Sequence, residues 1–97
     1  MIFEQAELHI KPNLEKDFLT AFNKAKFIIA SMKGFINIDL LKCIEKENTY
    51  LLLVKWETLN DHEIGFRKSD QYQEWKQLLH HFYEPFPKVY HYESVLK

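Results

Sequence analysis

Two segments of this chain have the alternation of β-strands but carry apolar side chains on both faces, and this feature constrains the fold most. In residues 49–56 (TYLLLVKW), one face carries Tyr50, Leu52, Val54 and Trp56, and the other carries Leu51 and Leu53. In residues 35–44 (FINIDLLKCI), the pattern predicts Ile36, Ile38 and Leu40 on one face and Phe35, Leu41 and Cys43 on the other. A sheet of such strands needs cover on both sides.

The first third of the chain predicts a strand followed by one long helix. Residues 2–10 alternate, and Glu4 is the only charged residue on the otherwise apolar side of that strand. Apolar residues at spacings of three and four from Leu14 to Met32 predict an amphipathic helix, with Asn13 as its cap and Gly34 as its left-handed end.

The second half predicts two short helices and a last strand. Thr58 and Asp61 favour a helix start before a segment over about 59–68, and Ser69 favours the start of the next helix, which runs to Phe82. Residues 88–95 (KVYHYESV) alternate as a final strand.

The order strand, helix, strand, strand, helix, strand predicts an α+β fold, a ferredoxin-like βαββαβ antiparallel sheet with helices on one face. We expect it to form a single domain over residues 1–97. Five or six apolar side chains exposed to water on the other face would lose on the order of 10 kcal/mol of burial free energy. This loss is comparable to the whole stability of a domain. A second copy of the chain is the simplest cover, so we expect a homodimer with sheets packed face to face.

Composition argues against several classes of protein. A formal net charge of −1 offers no basic surface for nucleic acid. The run LLLV is too short to cross a membrane, and the start MIFEQAELHI lacks the features of a secretory signal. The single cysteine, Cys43, fits a reducing compartment, so a cytoplasmic location is expected. Because GxGxxG, GxxxxGK[ST], HExxH and CxxC are all absent, no cofactor is expected.

The stretch WETLNDHEIGFRKSDQYQEW, with TYLLLVKW before it and PKVYHYESV at the end of the chain, resembles the antibiotic biosynthesis monooxygenase domain family of the dimeric α+β barrel superfamily. The family's pattern corresponds here to Trp56, Glu57, His62, Phe66, Ser69 and Trp75. The resemblance extends over essentially the full length. It implies the fold more strongly than the activity, because the family includes cofactor-independent quinol and anthrone-type oxygenases, heme-degrading enzymes and an isomerase of a signalling sugar phosphate.

The heme-degrading branch is not favoured. That branch uses an asparagine on the first strand, a tryptophan in the first short helix and a heme-ligating histidine in the second. The corresponding positions hold Gln5, Phe66 and Lys76, and His80 and His81 lie one turn further on.

The quinol-oxygenase branch matches better and implies oxidation of a small phenolic or quinol molecule by O₂. Its strand-end tryptophan is Trp56, its tyrosine six residues later is replaced by His62, and its asparagine four residues earlier by Leu52. In this hypothesis His62 is the base and the Trp56 indole N–H donates to the substrate oxyanion. Phe66, Phe22 and Leu52 are expected to form the apolar substrate site.

Other readings stay open at this stage. The same base could serve an isomerisation or another proton transfer on a small carbonyl compound, or the fold could be a non-catalytic module that binds a small apolar ligand or a partner through the sheet edge. Trp56 could instead be a core or rim aromatic residue, and His62 a solvated or capping residue. His9 and His91 could face each other on neighbouring strands and bind a metal with Glu7 or Glu93. Their spacing carries no short-range ligand signature, so no metal site is predicted.

Overall fold

The computed structural model describes residues 1–96 and contains one four-stranded antiparallel sheet with helices on one face. The strands are β1 (Ile2–His9), β2 (Phe35–Lys42), β3 (Thr49–Trp56) and β4 (Val89–Tyr92), in the spatial order β2-β3-β1-β4. The helices are α1 (Glu15–Ala30) and α2 (Asp70–Leu79), with a π-type turn at Asp61–Phe66 and a 3₁₀ turn at His80–Phe82. The predicted ferredoxin-like α+β fold is confirmed.

The inner face of the sheet, which packs against the helices, follows the predicted alternation. The register of β1 and β3 pairs Ala6 with Leu52 and Leu8 with Tyr50, and all four side chains are buried. Helix α1 covers this face with a buried stripe made of Phe18, Phe22, Ala25 and Ile29. The same alternation places Glu4 on the inner face opposite Val54, where only 6% of the residue is exposed. A carboxyl group in that position needs polar partners.

The ends of α1 differ from the prediction. Asn13 does not cap the helix, because it takes a left-handed φ of 67° and Leu14 becomes the N-cap residue without a side-chain hydrogen bond. Asparagine tolerates this conformation better than most residues do. Gly34 does adopt the expected left-handed φ, 83°, but α1 already ends at Ala30.

The predicted starts of the two short helical segments are confirmed. The Asp61 backbone N–H donates to Thr58 Oγ1 at 3.1 Å, and the Thr58 hydroxyl donates to Asp61 Oδ2 at 2.8 Å. At α2, Ser69 Oγ accepts from the Tyr72 backbone N–H at 3.1 Å. These caps fix the path of the chain as it leaves β3, and so fix the segment that carries His62.

One assignment of faces on β2 was wrong. A β-bulge between Phe35 and Asn37 inserts an extra residue, so Phe35 pairs with Trp56 and contacts its ring edge-on, with the centroids 6.1 Å apart. Phe35 therefore lies on the inner face with Ile38 and Leu40 rather than opposite them. A bulge shifts the alternation by one residue.

The outer face of the sheet carries no helix. Phe3, Leu41, Tyr90 and Tyr92 are between 36% and 54% exposed, and Leu51 and Leu53 between them are half-buried. The register places Phe3 opposite Tyr92 and Leu41 opposite Leu51, so this face carries an apolar patch on β2 and β3 and a second one on β1 and β4. Glu7 and Gln5 of β1 lie opposite Leu51 and Leu53, between the two patches. Within residues 1–96, no helix is both long enough and apolar enough to span a lipid bilayer.

Candidate active site

A cavity of about 340 Å³ lies between the inner face of the sheet and the chain that follows β3. This volume is at the lower end of the range for small-molecule sites, roughly 300–1,000 Å³. Most of its wall is apolar or aromatic, contributed by Ala6, Leu8, Leu52, Phe66, Tyr72, Trp75, Tyr83, Phe86, Pro87 and Val89. The ionisable side chains Glu4, His62, Arg67 and His80 complete the lining. The size and the aromatic wall suit one small aromatic molecule.

Glu4 is the most unusual group in this wall. Its Oε1 accepts a hydrogen bond of 3.0 Å from the Trp56 indole N–H and lies 3.2 Å from His62 Nε2. Its Oε2 has no hydrogen-bond partner in the described chain, and every fully enclosed polar side-chain atom there does have one. Oε2 is therefore the oxygen that opens into the cavity.

Burial also changes the acidity of Glu4. Loss of hydration raises the pKa of its carboxyl group to about 7, although the Trp56 hydrogen bond and the positive charge of Arg67 act in the opposite direction. A carboxyl group with a pKa near neutrality can accept or donate a proton under ordinary conditions.

His62 is held in place by the π-type turn. The Arg67 backbone N–H donates to the His62 carbonyl at 3.1 Å, and the His62 ring stacks on Trp56 with centroids 5.5 Å apart and planes 22° apart. Burial, together with the nearby charges of Arg67 and His91, lowers the pKa of His62 to about 3. The imidazole is neutral near pH 7, so its 3.2 Å contact with Glu4 is not an ion pair.

His91 extends the polar contacts from the cavity towards the surface. It lies opposite Glu4 in the β1–β4 register, and its Nε2 is 2.7 Å from His62 Nδ1. Its Nδ1 is 3.9 Å from the Glu63 carboxylate. Burial lowers the pKa of His91, Glu63 raises it and Arg67 lowers it.

The hypothesis that His9 faces His91 is wrong. Strand β4 pairs only with residues 3–6 of β1, which places His91 opposite Glu4. His9 instead lies 3.0 Å from the exposed carboxylate of Glu7. Among residues 1–96, no group of three or more His, Cys, Asp or Glu side chains is arranged to hold a metal ion.

Arg67 is the single arginine of the sequence and lies in the cavity wall. It forms no ion pair with any carboxylate of the described residues. Its positive charge lowers the pKa values of Glu4, His62 and Tyr72. The guanidinium is therefore free to contact an anionic group on a ligand.

The structure brings together three of the five residues predicted for the site. His62, Phe66 and Leu52 line the cavity. Trp56 is fully buried behind it and directs its N–H to Glu4. Phe22 lies outside the lining and contacts Trp75 edge-on, with the ring centroids 6.0 Å apart.

Sequence reasoning missed Glu4, Arg67 and the position of His91. The signal for Glu4 was present, because it is the only charged residue on the inner side of an otherwise apolar strand. A charged residue at such a position is either paired or functional, since an unpaired one is costly to bury.

The sequence of this chain is similar to that of a known protein family and of a known bacterial protein. The family model for antibiotic biosynthesis monooxygenases matches residues 1–78. A relative from Bacillus subtilis, named Uncharacterized protein YczJ, is 57% identical over 95 residues, which cover 98% of this chain and 100% of the relative.

Solved structures show the same architecture. A Bordetella bronchiseptica protein assigned to the antibiotic biosynthesis monooxygenases superposes with a TM-score of 0.93 at 33% identity, covering 98% of this chain and 97% of that one. SnoaB, a cofactor-independent oxygenase from Streptomyces nogalater, superposes with a TM-score of 0.75 at 17% identity, covering 99% and 93%. At that identity, the likeness to SnoaB is one of fold.

Proposed function

Because this chain belongs to the antibiotic biosynthesis monooxygenase family, we propose that it oxidises a small phenolic or quinol molecule with O₂ and without a cofactor. The observation that carries the proposal is the Glu4 carboxyl group, whose free oxygen opens into an aromatic cavity and whose pKa is about 7. The fold of SnoaB, a cofactor-independent oxygenase, is consistent with such chemistry.

We assign the base to Glu4 and not to His62. A free phenol has a pKa of about 10, so transfer of its proton to a group with a pKa of about 7 is uphill by roughly 4 kcal/mol. The same transfer to His62, with a pKa of about 3, is uphill by roughly 10 kcal/mol. Glu4 therefore receives the proton at Oε2, while Trp56 and His62 hold Oε1 in place.

The remaining cost of proton transfer is offset by groups that stabilise the phenolate. Arg67 supplies a positive charge in the cavity wall, and Tyr72 and Tyr83 line the same wall with hydroxyl groups. Preorganised donors and charges in a site shielded from water can stabilise a developing anion by several kcal/mol.

The oxidation step needs no electrons from the protein. A deprotonated hydroquinone transfers electrons to O₂, one oxygen atom forms a new C–O bond on the ring, and the other leaves as water. Hydroquinone plus O₂ thus gives hydroxyquinone plus water. The proton on Glu4 returns to the departing oxygen, so the carboxylate is restored at the end of each turnover.

The active form in this proposal is a homodimer joined through the outer face of the sheet. Support comes from the apolar side chains on this face, which no helix of the described chain covers: Phe3, Leu41, Leu51, Tyr90 and Tyr92. A second copy presents the same surface, as two-fold symmetry requires.

The proposal is tested by following dissolved oxygen and absorbance together in a screen of hydroquinones and naphthoquinols, with a metal chelator present. We expect the wild-type protein to consume O₂ faster than the uncatalysed reaction, and Glu4→Gln to reduce the rate by roughly 10²-fold or more. His9→Gln, at an exposed histidine outside the cavity lining, is the matched control and keeps the wild-type rate. No enhancement for any phenolic substrate, or equal rates for Glu4→Gln and wild type, would contradict the proposal.

A second candidate, isomerisation of a small carbonyl compound by proton transfer, rests on the same observation. A carboxyl group with a pKa near 7 suits proton removal next to a carbonyl as well as from a phenol. Turnover that continues at the same rate under argon identifies the isomerase.

A further inference from the structure

We propose that His62 and His91 form a proton wire that connects the buried Glu4 carboxyl group with solvent beside Glu63. Use of this wire during turnover rests on the proposed role of Glu4 as the base, whereas its existence in the resting protein does not. The wire would let Glu4 lose or regain a proton while a ligand fills the cavity.

The geometry provides a continuous path of ring nitrogens. Glu4 Oε1 lies 3.2 Å from His62 Nε2, and His62 Nδ1 lies 2.7 Å from His91 Nε2. Each imidazole thus uses one nitrogen for the inner neighbour and the other for the outer neighbour. His91 Nδ1 then points towards Glu63 at 3.9 Å, a separation that one solvent molecule can bridge.

Exposure rises from His62 outward, in the direction that a wire to solvent requires. The side chains of Glu4 and His62 are 8% and 3% exposed, His91 is 18% exposed, and Glu63 is 44% exposed. Trp56, which donates a hydrogen bond to Glu4, is fully buried and its indole cannot pass a proton onward. The proton therefore passes through His62, whose Nε2 lies 3.2 Å from Glu4 Oε1.

Two arrangements of protons satisfy every contact in the wire. When Glu4 carries its proton on Oε1, this O–H donates to His62 Nε2, His62 Nδ1–H donates to His91 Nε2, and His91 carries its proton on Nδ1. A proton received at Oε2 reaches this arrangement by a half-turn of the carboxyl group, which exchanges its two oxygens. When Glu4 is ionised, His62 and His91 both carry their protons on Nε2 and donate inward. Three hops convert the first arrangement into the second, release one proton at His91 Nδ1 and leave both imidazoles neutral.

The charges around the wire favour neutral histidines. Arg67 lowers the pKa values of both His62 and His91, and each histidine is further disfavoured as a cation by its burial. Glu63, at the outer end, is the one neighbour that raises the pKa of His91. Tyr72 and Tyr83 also face Glu4, and their pKa values are raised, so both stay protonated when Glu4 ionises. The proton released near neutral pH therefore comes from Glu4.

Nitrogen-15 NMR of the full-length wild-type protein tests this directly, because imidazole shifts distinguish the two tautomers and the cation. We expect His62 and His91 to change together from the Nδ1–H to the Nε2–H tautomer at the pH at which the Glu4 carboxyl resonance titrates. The proposal is wrong if either histidine keeps a single tautomer through that titration, or if either becomes a cation within it.

A variant gives a kinetic test. In His91→Phe, exchange of the His62 ring proton with solvent should slow by roughly tenfold or more, while His9→Gln leaves that exchange unchanged. An unaltered exchange rate in folded His91→Phe overturns the proposal. The tautomer change is independent of catalysis, so it can be found in a protein that consumes no O₂. Equally, Glu4-dependent O₂ consumption can survive the failure of the wire.

Discussion

The Trp56 indole N–H and the Glu4 Oε1 atom are joined by a hydrogen bond of 3.0 Å between neighbouring strands on the inner face of the sheet. This bond fixes one oxygen of a buried carboxyl group and leaves the other open to the cavity. It also means that Trp56 reaches a ligand only through Glu4. The candidate site is therefore centred on a residue of the first strand, with tryptophan and histidine as its supports.

The acidity of Glu4 predicts a stability that depends on pH. Its folded pKa of about 7 lies above the ordinary value of 4.5, so the native state holds a proton that the unfolded state has already released. Stability from this group is complete below pH 4.5 and is lost as pH rises through about 7, by roughly 3 kcal/mol in total. Glu4→Gln, which mimics the protonated carboxyl group, should match wild type in acid and exceed it in free energy of unfolding above neutrality.

Urea unfolding at a mildly acidic and a mildly alkaline pH measures this difference. Glu7→Gln, on the exposed side of the same strand, is the control and should show no such gain above neutrality. If Glu4→Gln were destabilised equally at both pH values, folding would not raise the pKa of the Glu4 carboxyl group, and the prediction would be wrong.

The bond from Trp56 predicts the effect of removing its donor while keeping an aromatic ring. Because that bond lowers the pKa of Glu4, Trp56→Phe should raise this pKa further above 7. The substitution should destabilise the Glu4 carboxylate by about 1.5–3 kcal/mol. Carbon-13 NMR of the Glu4 carboxyl group follows the midpoint. Phe66→Leu keeps the donor and is expected to leave the midpoint close to that of wild type. An unchanged midpoint in Trp56→Phe would indicate that the indole does not bond to Glu4 in solution.

Phe66 and Phe22 differ in position and predict different effects on ligand binding. Both are buried, but only Phe66 lines the cavity. Phe66→Leu and Phe22→Leu should each cost about 1 kcal/mol of stability, whereas only Phe66→Leu should weaken binding of a naphthol measured by calorimetry. Equal losses of affinity in the two variants would place Phe22 in contact with the ligand.

The outer face of the sheet predicts how the proposed dimer can be broken. Leu51 lies in the apolar patch of β2 and β3 on this face, so Leu51→Glu should place a charge in the proposed interface and shift the protein to monomer in sedimentation velocity experiments. Phe27→Glu is the matched control, because Phe27 is 69% exposed but belongs to α1. It should leave the dimer intact. A monomeric wild-type protein at high concentration would remove the basis for this interface.

The fold could be predicted from the sequence because local signals agreed with one another. The alternation of Tyr50, Leu52, Val54 and Trp56 fixed the inner face of β3, and Ser69 and Thr58 marked helix starts by their own hydrogen bonds. The error in the faces of β2 arose because one extra residue shifts the pairing of that strand with β3. The bulge after Phe35 changes the face of that residue, and the preceding Gly34 was interpreted only as the end of the helix.

The site was harder to predict because its parts meet only in the folded chain. Glu4 was recognised as an exception on its strand, but its partner Trp56 lies 52 residues away in the sequence. The position of His91 depended on how far β4 pairs along β1, and the strand ends three residues earlier than its alternation predicted. The base role of His62 was inferred from its ordinary pKa, which burial lowers to about 3.

The proton transfer itself can be observed without oxygen. When a naphthol is mixed with the protein under argon at a pH just above neutral, the absorbance of the bound molecule reports whether it is neutral or anionic. We predict the naphtholate spectrum with wild-type protein and the neutral naphthol spectrum with Glu4→Gln, at equal occupancy of the site. A bound naphthol that stays neutral in the wild-type protein, or one that is equally anionic in both proteins, would contradict the role of Glu4 as the base.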